Sequence, residues 1–239
     1  MTTQTDRAKL AAAEAAVALV EDGMRLGLGT GSTAAVMVRV LAARVAEEGM
    51  ALRFAATSKA TTQLATGLGL RIEALDDIRW LDLTIDGADE LDADLNLIKG
   101  GGGALLREKI VEQASDRLVV IADAGKVVER LGAFPLPVEV IPFGWKTSRR
   151  QIEGLLADFG LTGAEIALRG GEDAPFCTDE GNLILDLHLG AIADAPALAG
   201  ALNRIAGVVE NGLFIGMAER ALIGGPDGTV TVMTRPVAA

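Results

Sequence analysis

Residues 24–33 are Met-Arg-Leu-Gly-Leu-Gly-Thr-Gly-Ser-Thr, a stretch in which a strand pattern passes into a glycine turn. Met24, Leu26 and Leu28 recur at every second position, which is the period of a β-strand. A helical pattern follows the turn and continues to about Glu48. The stretch therefore predicts a strand, a tight turn and a helix whose amino-terminal end lies beside the turn.

The same unit recurs along the first half of the chain. Strand patterns end directly before polar or glycine-containing segments at 29–33, 57–59, 86–90 and 123–126. Helical patterns separate these strands, and such alternation is typical of a parallel sheet. We predict an α/β fold with a mostly parallel, Rossmann-like sheet and helices on both faces. Ligands of such sheets bind beyond the carboxyl ends of the strands, so the four segments are expected to converge on one site.

The pattern changes after Gly132. The following residues predict the order β-α-β-β-α-β, with a last strand over 208–214, and this is the order of a ferredoxin-like unit. Residues 217–233 predict a hairpin that rejoins the first sheet. We therefore expect a Rossmann-like catalytic domain over 1–132 and 215–239, interrupted by a small ferredoxin-like α+β domain over 133–214.

Composition excludes several classes of protein. The chain has 239 residues, of which 50% are hydrophobic, and 22 Lys and Arg stand against 33 Asp and Glu, a formal net charge of −11. Only 3% of the residues are aromatic and none is Tyr. An acidic chain repels nucleic-acid backbones, and few aromatic faces are available for base stacking. Nucleic acid is therefore not an expected partner.

Neither a membrane segment nor an export signal is expected. The most apolar early stretch, residues 10–20, contains Glu14 and is shorter than the ~18 uninterrupted apolar residues of a spanning helix. Cys177 is the only cysteine, so no disulfide can form within the chain. A reducing compartment, and thus a cytoplasmic location, fits best.

The glycine turn fits the G-x-G-x-x-A fingerprint of dinucleotide-binding sites. A dehydrogenase with that fingerprint needs an acidic residue at the end of the second strand, and Ala55-Ala-Thr-Ser58 has none. A P-loop is excluded because no Gly-Lys-Ser/Thr follows at the required spacing. Two interpretations stay open: the turn binds a monophosphate at the helix amino terminus, or it is only a tight turn with a hydroxyl cap. The residues concerned are Thr30, Gly31, Ser32 and Thr33.

Asp86-Gly-Ala-Asp-Glu90 places three carboxylates within five residues at a strand end. A Mg²⁺ site made of carboxylates is one alternative. The single histidine, His188, is expected on the polar surface of a strand and not as a ligand. We expect Asp86 and Asp89 to bind hydroxyls or move protons, and Glu90 to be a solvated charge.

Lys99-Gly-Gly-Gly-Gly103 combines a cation with glycines whose backbone can approach a ligand closely. The glycine N–H groups can hold an anion, and Lys99 can stabilise a developing oxyanion. Glu108 follows near the start of the next helix. We expect it to be buried, facing Asp86 and Lys99, while an exposed Arg107-Glu108-Lys109 charge triplet is the alternative. A carboxylate base next to a lysine is suited to removing a proton from the carbon beside a carbonyl group. Hydrolysis by a Ser-His-Asp or Cys-His site is excluded, because no catalytic imidazole is available.

At these residues the sequence resembles the type A ribose-5-phosphate isomerases. The matching segments follow one another in order along nearly the whole chain, and the match loosens around 143–150 and 161–176. They are Gly29-Thr-Gly-Ser-Thr-Ala34, Asp86-Gly-Ala-Asp-Glu90, Lys99-Gly-Gly-Gly-Gly-Ala104, Arg107-Glu-Lys109, Ala122-Asp-Ala-Gly-Lys126, Phe134-Pro-Leu-Pro-Val-Glu-Val-Ile-Pro142 and Ala221-Leu-Ile-Gly224.

The resemblance implies interconversion of D-ribose 5-phosphate and D-ribulose 5-phosphate in the pentose phosphate pathway, without metal or cofactor. Glu108 would be the base that moves a proton between C2 and C1 through a cis-enediolate. Asp86, Asp89 and Lys99 would share ring opening, hydroxyl proton movement and charge stabilisation. The implied assembly is a homodimer, in some members a tetramer. The implied substrate contacts are Thr30, Gly31, Ser32, Thr33, Asp86, Gly87, Ala88, Asp89, Lys99, Gly100, Gly101, Gly102 and Lys126, with Lys9 as a further phosphate contact.

Other classes share parts of this pattern. Aminosugar-phosphate deaminases use a histidine, which the single His188 disfavours. CoA-transferases use a glutamate nucleophile, so Glu108 alone does not separate them from an isomerase. A sugar-phosphate sensor that binds without turnover is expected to carry a DNA-reading domain, and none is visible before the first strand.

Overall fold

The computed structural model describes residues 3–235, so positions 1–2 and 236–239 of the expected catalytic domain lie outside the described residues. The helices are α1 (Gln4–Val17), α2 (Ser32–Glu48), α3 (Lys59–Gly67), α4 (Leu75–Ile78), α5 (Leu105–Gln113), α6 (Trp145–Asp158) and α7 (Ala195–Leu202). The strands are β1 (Arg25–Leu28), β2 (Arg53–Ala56), β3 (Leu83–Gly87), β4 (Glu90–Leu91), β5 (Leu97–Ile98), β6 (Leu118–Asp123), β7 (Leu136–Val140), β8 (Glu165–Leu168), β9 (Leu183–His188), β10 (Val208–Asn211), β11 (Leu213–Phe214), β12 (Arg220–Gly224) and β13 (Val230–Thr234).

The main sheet has six strands in the order β13-β12-β6-β3-β1-β2. Five of them are parallel, and β13 joins the edge antiparallel to β12, as the predicted hairpin requires. The mostly parallel sheet expected from the sequence is therefore confirmed. The carboxyl ends of β1, β3 and β6 lie side by side at the centre of one sheet edge.

Both faces of this sheet are buried. Val119 and Ile121 of β6 pack with α1 and α2 in one aliphatic cluster. Their neighbours Val120 and Ala122 point the other way and pack with Leu105 of α5 in a second cluster. Because alternate side chains leave opposite faces of a strand, β6 has to be apolar at nearly every position. This explains the continuous hydrophobic run in the sequence.

A second sheet has four antiparallel strands in the order β10-β7-β9-β8. In chain order the unit is β7-α6-β8-β9-α7-β10, so the fourth strand lies beside the first and the third beside the second. This is the ferredoxin-like arrangement that the sequence predicts. Helices α6 and α7 contribute Ile152, Leu156, Leu198 and Leu202 to its core. The division into domains at 132/133 and 214/215 stays a prediction.

The strand expected over 208–214 is wrong in one respect, because the chain breaks it at Gly212. β10 belongs to the four-stranded sheet, whereas β11 joins β5 and β4 in a small three-stranded sheet. The Gly212 N–H donates to Pro137 O, and Gly212 O accepts from the Lys99 N–H at 2.9 Å. A Cβ at Gly212 would lie 2.3 Å from Lys99 O, so only glycine allows this close approach. This crossing, the passage of the chain from β10 to β11 at Gly212, therefore fixes the backbone at Lys99.

Within residues 3–235, no helix is both long and apolar enough to cross a membrane.

We expect Gly224→Ala to destabilise the protein by about 3 kcal/mol, because an added Cβ would lie 1.9 Å from the Ala8 carbonyl oxygen of α1, a backbone atom that cannot move aside. Gly200→Ala is the matched control. Gly200 lies exposed inside α7 with nothing near its added Cβ, so the same change should stabilise the helix by about 0.5–1 kcal/mol. Urea unfolding of both variants measures the difference, and equal midpoints would contradict the close packing of β12 on α1.

Candidate active site

A pocket of about 330 Å³ opens at the carboxyl ends of β1, β3 and β6. Every residue predicted for the site lines it, with the exception of Asp86, which lies fully buried beneath its floor. The structure thus brings together predicted residues that are separated by up to 117 positions, from Lys9 to Lys126. The lining residues are Thr5, Lys9, Thr30, Gly31, Ser32, Thr33, Gly87, Ala88, Asp89, Lys99, Gly100, Gly101, Gly102, Glu108, Asp123 and Lys126.

The glycine turn presents the amino-terminal end of α2 to this pocket. Gly31 occupies the cap position with φ 107°, and no side chain caps the first turn of the helix. The alternative of a hydroxyl-capped turn is therefore wrong, and the first N–H groups of α2 stay available to an anion. Lys9 reaches the same place from α1, where its Nζ donates to Ser32 Oγ at 2.8 Å. An ammonium and a helix amino terminus together suit a phosphate.

The segment 57–59 supports the turn from behind and does not line the pocket. The Thr30 hydroxyl lies 2.7 Å from that of Thr57, 2.8 Å from that of Ser58 and 3.1 Å from that of Thr61. Thr57, Ser58 and Thr61 are buried. The end of β2 therefore contributes a hydroxyl cluster that fixes Thr30, and it contributes no ligand contact of its own.

Asp86 joins three parts of the site. Its Oδ1 accepts from the Thr30 N–H at 2.9 Å and from the Gly87 N–H at 2.6 Å, and its Oδ2 lies 3.0 Å from Lys99 Nζ. The main chain must come close for this, since a Cβ at Gly29 would lie 2.1 Å from Asp86 Oδ1. Asp86 therefore positions the glycine turn and the lysine from beneath the pocket.

Asp89 and Arg169 hold the glycine loop from its two sides. Asp89 Oδ2 accepts from the Gly101 N–H at 2.7 Å. Arg169, which follows β8 of the second sheet, donates to Gly100 O at 2.9 Å and to Gly101 O at 3.2 Å and is itself paired with Asp186. The sequence carried no signal for Arg169, because its contact with the loop depends on how the two sheets pack.

Lys99 is buried at the centre of the site, with 2% of its side chain exposed. Its Nζ donates to Gly87 O at 2.6 Å and faces the carboxylates of Asp86, Glu112 and Glu108 at 3.0, 3.2 and 3.6 Å. Burial opposes the charged form, but attraction to the three carboxylates outweighs it and raises the pKa of Lys99 above its usual value. Lys99 therefore carries a permanent positive charge at the pocket wall.

Glu108 lies in the first turn of α5 and is buried beside Lys99, as the sequence predicts. Burial raises the pKa of its carboxyl to about 8; Lys99 opposes the shift, and Asp86 and Asp89 add to it. The exposed charge triplet is wrong, because Arg107 pairs with Glu180 while Lys109 is buried and points to Glu210. Glu108 is thus a pocket-lining carboxylate that can gain and lose a proton near neutral pH.

Two acidic residues differ from the sequence-based expectations. Glu90 is buried, not solvated, and accepts from the Gly132 N–H at 2.7 Å and the Phe134 N–H at 2.5 Å, so it anchors the start of the link to the second sheet. Glu112 was missed altogether, although it is fully buried and contacts Lys99. Its position four residues after Glu108, on the same helix face, was the available signal. His188 is exposed, as expected.

Comparison with known proteins finds matches to one protein family. Residues 53–228 match the family model described as Ribose 5-phosphate isomerase A (phosphoriboisomerase A). The chain is 61% identical over 227 residues to ribose-5-phosphate isomerase A of Cereibacter sphaeroides, covering 95% of this chain and 87% of the relative. It is 59% identical to the protein of that name from Ruegeria pomeroyi, with the same coverage.

Solved structures agree with this match. Ribose 5-phosphate isomerase A of Methanocaldococcus jannaschii superposes with a TM-score of 0.86 at 40% identity, covering 95% of this chain and 97% of that one. A D-ribose-5-phosphate isomerase in complex with phospho-erythronic acid superposes with a TM-score of 0.87 at 38% identity and the same coverage.

Proposed function

Because this chain belongs to the ribose 5-phosphate isomerase A family and is an aldose–ketose isomerase, we propose that Glu108 is the base that interconverts D-ribose 5-phosphate and D-ribulose 5-phosphate. One observation carries the proposal: Glu108 is the buried carboxylate of the pocket whose pKa is raised to about 8, and it lies 3.6 Å from the ammonium of Lys99. A base and an electrophile therefore stand side by side.

The reaction needs one proton to change carbon atoms. Glu108 takes the proton from C2 of the open-chain aldose, the electron pair forms the C1–C2 double bond, and O1 becomes an oxyanion of a cis-enediolate. Protonated Glu108 then gives the proton to C1 while the hydroxyl proton of O2 passes to O1, which leaves the ketone at C2. Lys99 stabilises the oxyanion, since a fixed charge at a buried position acts strongly on charge that develops beside it.

Asp86 and Asp89 serve this step in different ways. Asp86 is fully buried and touches Lys99, so its part is to hold the ammonium in place. Asp89 lines the pocket and is only partly buried, so its carboxylate can accept a sugar hydroxyl and move the proton needed for ring opening.

The phosphate is assigned to the amino-terminal end of α2. Ser32 and Thr33 stand there with free backbone N–H groups, and Lys9 and Lys126 bring positive charge to the same pocket. Phospho-erythronic acid, which a relative binds, has a phosphate at one end and a carboxylate at the other. Its carboxylate has the planar, two-oxygen shape of the enediolate, so we expect it to bind here with the same polarity.

No divalent cation enters the proposed mechanism. The Nζ of Lys99 stands between the carboxyl groups of Asp86, Glu108 and Glu112 and supplies a positive charge there. We therefore assign the charge stabilisation to Lys99. A homodimer or tetramer and a cytoplasmic location stay predictions; light scattering of the purified protein tests the assembly.

We expect Glu108→Gln to lower kcat by about 10³-fold or more while phospho-erythronic acid still binds, because the amide keeps the shape of the side chain and cannot accept the proton. A coupled assay with ribose 5-phosphate and calorimetric binding measure the two effects. Glu129→Gln, at an exposed position, is the control. In the wild type, solvent deuterium should enter C1 of the ketose; a Glu108→Gln variant within tenfold of wild-type turnover would remove Glu108 from this role.

The pH dependence follows from the raised pKa of Glu108. Only the ionised carboxylate accepts a proton, so kcat/KM should rise with pH and level off above about 8. The raised pKa also affects the free energy of unfolding, in the opposite sense. Because the folded state favours the protonated carboxyl, the stability that Glu108 contributes is fully present below its usual pKa and is lost as the pH rises through about 8. Glu108→Gln should therefore gain stability over the wild type at pH 9, as urea unfolding would show.

Chelation tests the absence of a metal from the mechanism. The isomerase activity should be unchanged after dialysis against EDTA, because Lys99 supplies the positive charge. The reaction is quenched before its product is measured in a coupled assay, so that Mg²⁺ is present only in the coupling steps. Loss of activity that added Mg²⁺ restores would overturn this part of the proposal.

A further inference from the structure

Glu112 is a buried acid for which the proposed reaction has no use. It lies one helical turn after Glu108, none of its side chain is exposed, and it does not line the pocket. Its Oε1 lies 3.2 Å from Lys99 Nζ, and neither of its oxygens accepts a hydrogen bond from the described residues. A carboxylate in such a place is costly, because burial without hydrogen bonds disfavours charge. Its presence therefore calls for a physical role.

The charges around Lys99 do not balance. If Asp86, Glu108 and Glu112 were all ionised, three negative charges and one positive charge would leave a net charge of −2 in a buried cluster. Asp89 adds a further negative charge on the pocket side. Lys109, on the same helix, is within electrostatic reach of Glu112, but its Nζ forms its ion pair with Glu210 and also donates to Asn211 O and Leu213 O. The cluster therefore needs at least one additional proton.

Geometry decides which acid takes that proton. Oδ1 of Asp86 accepts from two backbone N–H groups, so a proton there would face two donors, and Oδ2 faces the ammonium. Glu108 lines the pocket, where substrate arrives and the carboxylate has to ionise. Glu112 has neither backbone donors nor an open side. Burial also raises the pKa of Glu112 well above its usual value.

We propose that Glu112 is a positioning residue that carries the cluster's proton, holding Lys99 in place as a neutral acid and leaving Glu108 free to ionise. The inference rests on the proposed function only for the role of Glu108. The oxygen of the neutral acid that lies 3.2 Å from Lys99 Nζ accepts from the ammonium, and its O–H is available to one acceptor. Asp86 Oδ2 and Glu108 Oε2 are buried oxygens of the same cluster without a hydrogen-bond partner among the described residues. An ionised Glu112 would instead pull the ammonium away from the substrate oxyanion and make Glu108 harder to ionise.

Infrared difference spectroscopy tests the proton directly and needs no turnover. At pH 9, the spectrum of the wild type minus that of Glu112→Gln should contain the carbonyl band of a protonated carboxylic acid. The same band should be present in Glu108→Gln minus Glu108→Gln/Glu112→Gln. A carboxylate band in place of the acid band would overturn the proposal. Since the measurement uses the unliganded protein, it stands or falls independently of the role of Glu108.

The pH profile of kcat/KM tests the consequence for Glu108. The amide of Glu112→Gln is neutral like a protonated acid. The midpoint of the acidic limb of the kcat/KM profile should therefore stay within a few tenths of a pH unit of the wild-type midpoint. If Glu112 is ionised, the same variant removes a negative neighbour, and the limb should move down by about one unit or more. That shift would contradict the proposal. Glu153→Gln, an exposed change on α6, is the control.

Glu112→Leu tests the contact with Lys99. Loss of the acceptor should lower kcat by about tenfold or more with little change in KM, and Glu112→Gln should restore most of it, because an amide also accepts from the ammonium. Equal kcat in the Leu and Gln variants would show that the acceptor does not matter and overturn the positioning role. If circular dichroism shows that Glu112→Leu does not fold, the proposal is tested by the infrared band and by the pH profile of Glu112→Gln.

Discussion

The contact of the Lys99 ammonium with three carboxyl groups and one carbonyl oxygen is the interaction on which the site depends. Asp86 comes from β3, Glu108 and Glu112 come from α5, and the lysine itself follows β5. A buried charge is stable only when its partners are held in place, because an unpaired ion in a protein interior is costly. The three elements must therefore meet correctly for any of these side chains to stay buried.

The backbone meets this demand through close approaches that only glycine permits. Gly29 lets the main chain lie against Asp86, and Gly212 lets the β10–β11 crossing lie against the carbonyl of Lys99. The crossing also links the four-stranded sheet, which contains β10, to the small three-stranded sheet, in which β11 pairs with β5 and β5 leads into the site. The ferredoxin-like unit thus fixes the lysine from behind and, through Arg169, the glycine loop from the side.

The sequence predicts those parts of the site that follow from local pattern. Strand ends, glycine turns and helix starts placed Thr30, Asp89 and Lys126 around one pocket, because the carboxyl ends of parallel strands share an edge. Contacts between distant segments have no such signature. The local sequence predicts Glu90 as a solvated acid, and nothing local indicates that it binds the backbone of residues 132 and 134. The break at Gly212 was equally hidden, since apolar residues continue on both sides of it.

The three acids around Lys99 differ in their distance from the ammonium and in their burial. Asp86 and Glu112 lie nearer to the ammonium, at 3.0 and 3.2 Å, than Glu108 does at 3.6 Å. A helix amino terminus lowers a carboxyl pKa, but for Glu108 burial is the larger effect, and the greater distance weakens the opposing attraction of Lys99. The acid that faces the substrate is thus the one least committed to the lysine. Glu112 lies nearer to the ammonium but is fully buried without a hydrogen-bond donor, and burial outweighs the attraction and raises its pKa as well. Distance from Lys99 alone therefore does not decide which acid ionises, and the open pocket side is what leaves Glu108 reactive.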